Sequence, residues 1–207
     1  MKLMLGTSNQ GKIREFRSLL KGLDIELYKP VEELLDLKIT EDGETYRENA
    51  VIKAKAYAQA AGMWALADDT GLEVDALDGA PGLRSARYLS TPNATDADRR
   101  SYLLENLRDK PTPWTARFRC VVALAHPDGL DFTAQGTCSG QIIPEERGNH
   151  GFGYDPIFLV LAKGRTMAEL DLEEKNKSSH RARAVRNLIP HLKDLMEQKA
   201  NNHDGKP

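Results

Sequence analysis

The chain has 207 residues, 40% of them hydrophobic, with a formal net charge of −2. That length and composition suit one full-sized globular domain, or two small lobes sharing a cleft, and need neither disorder nor a disulfide scaffold. The charge balance excludes a protein that grips a nucleic-acid polymer through its phosphates, and no apolar run is long enough for a signal peptide or a bilayer span, so a cytoplasmic protein is expected.

In chain order, Lys2 to Leu5 reads as a short buried strand and Gly6 to Gly11 as a turn. Ile13, Phe16, Leu19 and Leu20 then recur at helical spacing. Thr45 and Glu48 form a capping box, Ala50, Ala54, Tyr57, Ala58 and Ala61 make a helical stripe, and Gly62 can close that helix. Trp64 to Ala67 reads as a strand ending at Asp68-Asp69, and Gly79 to Gly82 as a turn. Thr95 to Leu107 predicts a third helix, with Asp96 and Asp98 placed to complement its dipole. Ala116 to Ala125 and Asp131 to Ser139 predict a hairpin with a longer loop around Pro127-Asp128-Gly129. A glycine loop over 148–153, a strand over 157–161 and a last helix from Ser178 to Gln198, bent at Pro190, complete the order. Residues 198–207 read as a flexible tail. Cys120 and Cys138 lack metal or redox spacing and are expected as buried thiols.

Four segments carry chemistry. Gly6-Thr7-Ser8-Asn9-Gln10-Gly11-Lys12 matches G-x-x-x-x-G-K between a strand and a helix, but Ile13 stands where a P-loop needs a magnesium-binding hydroxyl. A true P-loop is therefore rejected, while the glycine turn, the helix start and Lys12 can still hold phosphates. The plain alternative is a turn capped by Asn9 with Lys12 solvated. Asp68-Asp69-Thr70-Gly71 follows an apolar strand, and alternation sends the two carboxylates to opposite sides. One can face a ligand while the other braces the loop; alternatively, the pair only begins a turn. Glu41-Asp42-Gly43-Glu44 precedes the capped helix that carries Lys53, and Mg²⁺ takes one or two carboxylates plus phosphate oxygens and water, a role Glu41 and Asp69 could fill. In Gly151-Phe152-Gly153-Tyr154-Asp155-Pro156 a flat base could stack on Phe152, or both aromatics could plug the core. Lys175, His180 and Arg181 approach the last helix and can donate to phosphates or carbonyls, unless the run is a solvated face.

Taken together, Thr7-x-Asn9-x-x-Lys12, Glu48-Asn49-Ala50 with Lys53, Asp68-Asp69-Thr70-Gly71-Leu72, Gly79-Ala80-Pro81-Gly82 with Ser85-Ala86-Arg87-Tyr88, Gly151-Phe152-Gly153-Tyr154-Asp155-Pro156 and Ser179-His180-Arg181 resemble, in order, the Ham1/RdgB family of non-standard purine triphosphate pyrophosphatases. The resemblance runs from about Met1 to Leu195. It implies an α/β fold of elongated, two-lobed form, with a long central mixed sheet flanked by helices, a single catalytic domain over 1–197 with a central cleft, and a homodimer. It also implies Mg²⁺-dependent hydrolysis of ITP, dITP and XTP to the monophosphate and pyrophosphate. By position, Thr7, Ser8, Asn9, Gln10, Gly11 and Lys12 would bind the triphosphate together with Lys53, and Asp69 would be the catalytic base or a metal-bound carboxylate. Glu41 would be the second metal ligand, with Asp42 and Glu44 as alternatives in a looser stretch. Thr70, Phe152, Gly153, Tyr154, Asp155, Lys175, His180 and Arg181 would line the nucleotide site, with donors from the 151–155 backbone, His180 and Arg181 matching a 6-keto purine. Thr70 stands where serine is common and keeps the hydroxyl. Rival readings are a Maf-like pyrophosphatase of pyrimidine or modified nucleotides, and a nucleotide-binding sensor without catalysis.

Overall fold

A computed structural model describes residues 1–30, 37 and 39–203. Seven strands form one sheet in the order β2-β1-β3-β4-β5-β6-β7: β1 (Lys2–Leu5), β2 (Glu26–Tyr28), β3 (Ala65–Val74), β4 (Trp114–His126), β5 (Gly129–Ile142), β6 (Phe158–Val160) and β7 (Arg165–Thr166). β1 pairs in parallel with β2 and β3, whereas β5, β6 and β7 pair antiparallel, so the sheet is mixed as expected. Among the described residues five α-helices accompany it: α1 (Gln10–Leu19), α2 (Tyr46–Ala61), α3 (Asp96–Leu107), α4 (Leu172–Ser178) and α5 (His180–His203). None is long and apolar enough to cross a membrane among the described residues.

The chain divides into two compact units, the first comprising 1–68, 121–135 and 183–207 and the second 69–120 and 136–182. In the first, α2 turns Ala50, Ala54 and Ala58 onto Met4, Ala65, Ala67, Ala123 and Ala125. With little more than methyl groups at these positions, helix and sheet approach closely. A Cβ at Gly6 would lie 2.9 Å from both the Ala67 Cβ and the Tyr57 ring, so glycine is needed where β1 ends. In the second, Leu72, Leu103, Leu107, Trp114, Phe118, Phe158 and Met167 form a core of larger side chains. Cys120 and Cys138 are buried thiols, as expected.

Several boundaries differ from the sequence expectation. β3 does not stop at Asp68-Asp69 but runs on to Val74, so these residues are strand, not the opening of a turn. The hairpin of β4 and β5 turns tightly at Pro127-Asp128 and has no longer loop. The last helix is two: α4, opened by a reciprocal Asp171–Glu174 cap, ends at Ser179, whose extended backbone (φ −67°, ψ 160°) breaks the helix. The Ser179 hydroxyl then accepts from the Ala182 amide at 3.2 Å and restarts it as α5. Pro190 lies within α5. That helix extends to His203, and residues 204–207 of the expected tail lie outside the described residues.

Candidate active site

In the first unit, the turn between β1 and α1 is tied locally. The Thr7 hydroxyl accepts from the Asn9 amide at 3.2 Å, and the Asn9 side chain caps α1 by accepting from the Lys12 amide at 3.1 Å. Gln10 donates to the Ser8 carbonyl at 3.4 Å, Ser8 and Asn9 stay exposed, and Gly11 is buried. The cap therefore exists, but Lys12 is not solvated: its Nζ lies 3.0 Å from Oδ1 of Asp68, whose side chain is fully buried. On α2, Lys53 Nζ lies 2.9 Å from Glu41 Oε2. The expected Thr45–Glu48 capping box is present, and Gly62 closes α2 in the left-handed conformation (φ 62°). Asn49 grips the peptide of Gly43, accepting at 2.9 Å and donating at 3.3 Å, which holds the acidic stretch against the helix start. Glu41 is half-buried there, whereas Asp42 and Glu44 are exposed.

In the second unit, Asp69 is 8% exposed and Thr70 accepts at its hydroxyl from Arg181 Nη2 at 3.2 Å. Because β3 continues through these residues, alternation puts Asp69 on the side opposite Asp68. The basic run is no solvated face: Lys175, His180 and Arg181 are 3%, 2% and 1% exposed. Ser179 breaks the helix between Lys175 and His180, and the three side chains pack on Asp155, Phe152, Phe118 and Thr70. Lys175 Nζ lies 2.6 Å from Asp155 Oδ2 and 5.0 Å from the centre of the Phe152 ring, and Arg181 Cζ lies 5.8 Å from that centre. His180 stacks on Phe118 at 4.7 Å between ring centres. A half-buried aromatic face beside two cations suits a flat, electron-rich ligand bearing negative charge nearby.

The glycine loop divides its aromatics. Tyr154 enters the core and donates its hydroxyl to the Ser85 carbonyl at 2.9 Å; burial pushes its phenol well up, so it stays a donor. Phe152 remains half-buried. The loop amides are largely engaged within the chain: Phe152 donates to Asp155 Oδ2 at 2.9 Å, Gly153 to Asp96 Oδ2 at 2.8 Å and Asp155 to the Phe152 carbonyl at 3.2 Å. Three of the backbone donors expected from this stretch are thus engaged within the loop or with α3.

Two residues that the sequence places only in a motif and at a helix start, Ser85 and Asp96, make contacts near this loop that the sequence does not show. Ser85 accepts from the Leu72 amide at 2.8 Å and donates to the Gly82 carbonyl at 2.6 Å, tying the 82–87 turn to β3. Asp96 holds Gly153 from α3, with its carboxyl below the ordinary range: burial pushes it up, but bonds from Arg99 and Gly153 and the charges of Arg99 and Arg100 outweigh that. It is separated from Gly153 by 57 positions, so no local pattern could show the pair.

Among the described residues, no group of three or more histidines, cysteines or carboxylates is placed to hold a metal ion. Each taken by itself, the half-buried Glu41 of the first unit and Asp69 of the second offers carboxylate oxygens of the kind Mg²⁺ takes, an ion that completes its shell with phosphate oxygens and water.

The chain is thus an α/β protein whose acidic and basic groups gather at helix starts, one strand and one glycine loop. The Ham1 family profile matches residues 3–191, and the chain belongs to the Ham1 family. A Desulforamulus reducens protein named dITP/XTP pyrophosphatase is 46% identical over 196 residues, 94% of this chain and 97% of that one. A Geobacter sulfurreducens protein of the same name is 48% identical over 193 residues, 92% of this chain and 96% of that one. Among solved structures, a HAM1 protein from Coxiella burnetii matches with a TM-score of 0.83 at 41% identity, covering 94% of this chain and 99% of that one. The Staphylococcus aureus Ham1 protein gives 0.81 at 37% identity, covering 94% and 100%.

Proposed function

We propose that this protein is a Mg²⁺-dependent pyrophosphohydrolase that converts ITP, dITP and XTP to the nucleoside monophosphate and pyrophosphate, clearing deaminated purines from the cytoplasmic nucleotide pool. The observation that carries this reading is near full-length likeness, at 46% and 48% identity, to proteins named dITP/XTP pyrophosphatase. The residue chemistry supports it. Asp69 takes a proton from the water that attacks the α-phosphorus, the bond from that phosphorus to its bridging oxygen breaks, and pyrophosphate departs. Lys12 and Lys53 bring positive charge to the leaving group, and Thr7 to Gly11 position the triphosphate. Glu41 and Asp69 are the residues assigned to Mg²⁺, which when bound neutralises phosphate charge. Glu41 is favoured over Asp42 and Glu44 because it is the half-buried member of the stretch and already faces the Lys53 cation.

The base falls to Phe152, Lys175, His180 and Arg181. Phe152 offers a face for stacking, and with three of the loop amides engaged Lys175, His180 and Arg181 supply donors to a 6-keto oxygen, whereas a 6-amino group would meet donors where it needs acceptors. Refusal of GTP, also 6-keto, demands a further selection at C2. A substrate panel tests the reading: ITP, dITP and XTP should be turned over far faster than ATP, dTTP or UTP. Turnover of dTTP or UTP without ITP would give the protein to the Maf-like reading, and tight ITP binding with no product would make it a sensor. The family resemblance also supports a homodimer, checked by a light-scattering mass twice that of the chain.

A further inference from the structure

The backbone of Gly153 is held by α3 at both its N–H and its carbonyl. Its N–H donates to Asp96 Oδ2 at 2.8 Å, and its carbonyl accepts from Arg100 Nη1 at 2.8 Å. Both side chains are themselves fixed. Arg99 Nη2 donates to Asp96 Oδ1 at 2.6 Å, and Arg100 forks onto the two oxygens of Glu146 at 2.7 and 2.9 Å. The helix start beneath them is closed by the reciprocal Thr95–Asp98 cap, with Arg99 also donating to the Ala94 carbonyl at 2.7 Å. A planar fork already pinned by a carboxylate loses little freedom in making one more bond.

The inner side of the same loop is filled by Asp155. Its Oδ2 accepts from the Phe152 amide at 2.9 Å and from Lys175 Nζ at 2.6 Å. A Cβ added to Gly151 would lie 2.1 Å from that oxygen, so the carboxylate occupies the room a side chain would need. Phe152 therefore stands between an amide tied inward to Asp155 and a peptide tied outward to α3, with Gly153 in the left-handed region (φ 63°). Few backbone freedoms remain to move its ring.

We infer that Asp96 and Arg100 are positioning residues for base recognition, acting through the Gly153 peptide to fix the Phe152 ring and touching no substrate themselves. The inference rests on the reading of Phe152 as the surface that meets the base. Losing the clamp should weaken binding of the nucleotide more than the chemical step, because Asp69, Lys12 and Lys53 lie outside the loop.

A double-mutant cycle on ITP hydrolysis tests this. Asp96→Ala should raise KM for ITP by about tenfold, the scale of losing a bond to a charged acceptor, with kcat changed by less than about threefold. Arg100→Ala should move KM in the same direction. In a Phe152→Ala background, adding Asp96→Ala should change KM by less than about twofold, since the ring it positions is gone. Asp98→Ala, which weakens only the cap of α3, should leave KM near wild type. Should Asp96→Ala not fold, Asp96→Asn keeps an acceptor without the charge and should give a smaller rise in KM. Unchanged KM in both clamp variants, full additivity with Phe152→Ala, or an equal rise in Asp98→Ala would each overturn the inference while leaving the wild-type activity intact. Absence of ITP turnover by the wild type would instead overturn the functional reading, and this inference with it.

Discussion

Asp68 and Asp69 are neighbours with different tasks. Asp68 is fully buried against Lys12 at 3.0 Å, an arrangement that fixes the lysine at the start of α1. Asp69 points the other way from β3 and is the group assigned to proton transfer. Asp69→Asn should therefore lower kcat on ITP by about 10²- to 10⁴-fold, the usual reach of a general base, while the melting temperature stays close to wild type. Wild-type kcat in that variant would remove Asp69 from the mechanism. At this scale the sequence was informative about residue types and uninformative about burial. Lys175, His180 and Arg181 could be picked out as donors, but nothing local separates them from a solvated charge run. What buries them is contact with distant residues, Asp155, Phe152, Phe118 and Thr70, on either side of the helix break at Ser179.

Elements with local signals were legible. Thr45 with Glu48, the alanine stripe and Gly62 mark α2 because capping and helical period are both short-range. The end of β3 was misread because aspartate is a poor strand former; paired neighbours on the sheet override that preference. β2 and β7, three and two residues long, are too short to carry an alternating pattern. The tight contact of α2 with the sheet gives an element-level prediction. Gly6→Ala would place a methyl 2.9 Å from Ala67 and Tyr57, overpacking the joint from which the turn assigned to the triphosphate departs. It should cost about 1–3 kcal/mol in denaturant unfolding and reduce ITP turnover with it. A variant as stable and active as wild type would show that α2 and β1 have slack there.

For the whole molecule, strand order was beyond the reach of sequence, because β1 lies between β2 and β3 through pairings that no local pattern records. Family membership was legible from six ordered motifs, each weak alone, and the match over residues 3–191 bears it out. The site divides in the same manner. The carboxylates and lysines proposed for the site stand out by type and spacing, whereas the grip of Asp96 and Arg100 on Gly153 joins distant segments and appears only in three dimensions. Hydrolysis is proposed to occur once, at the α-phosphorus. Phosphorus NMR of ITP incubated with the protein and Mg²⁺ should show equimolar IMP and pyrophosphate, lost on chelation of the metal and restored by its return. Orthophosphate with IDP as the products would contradict it.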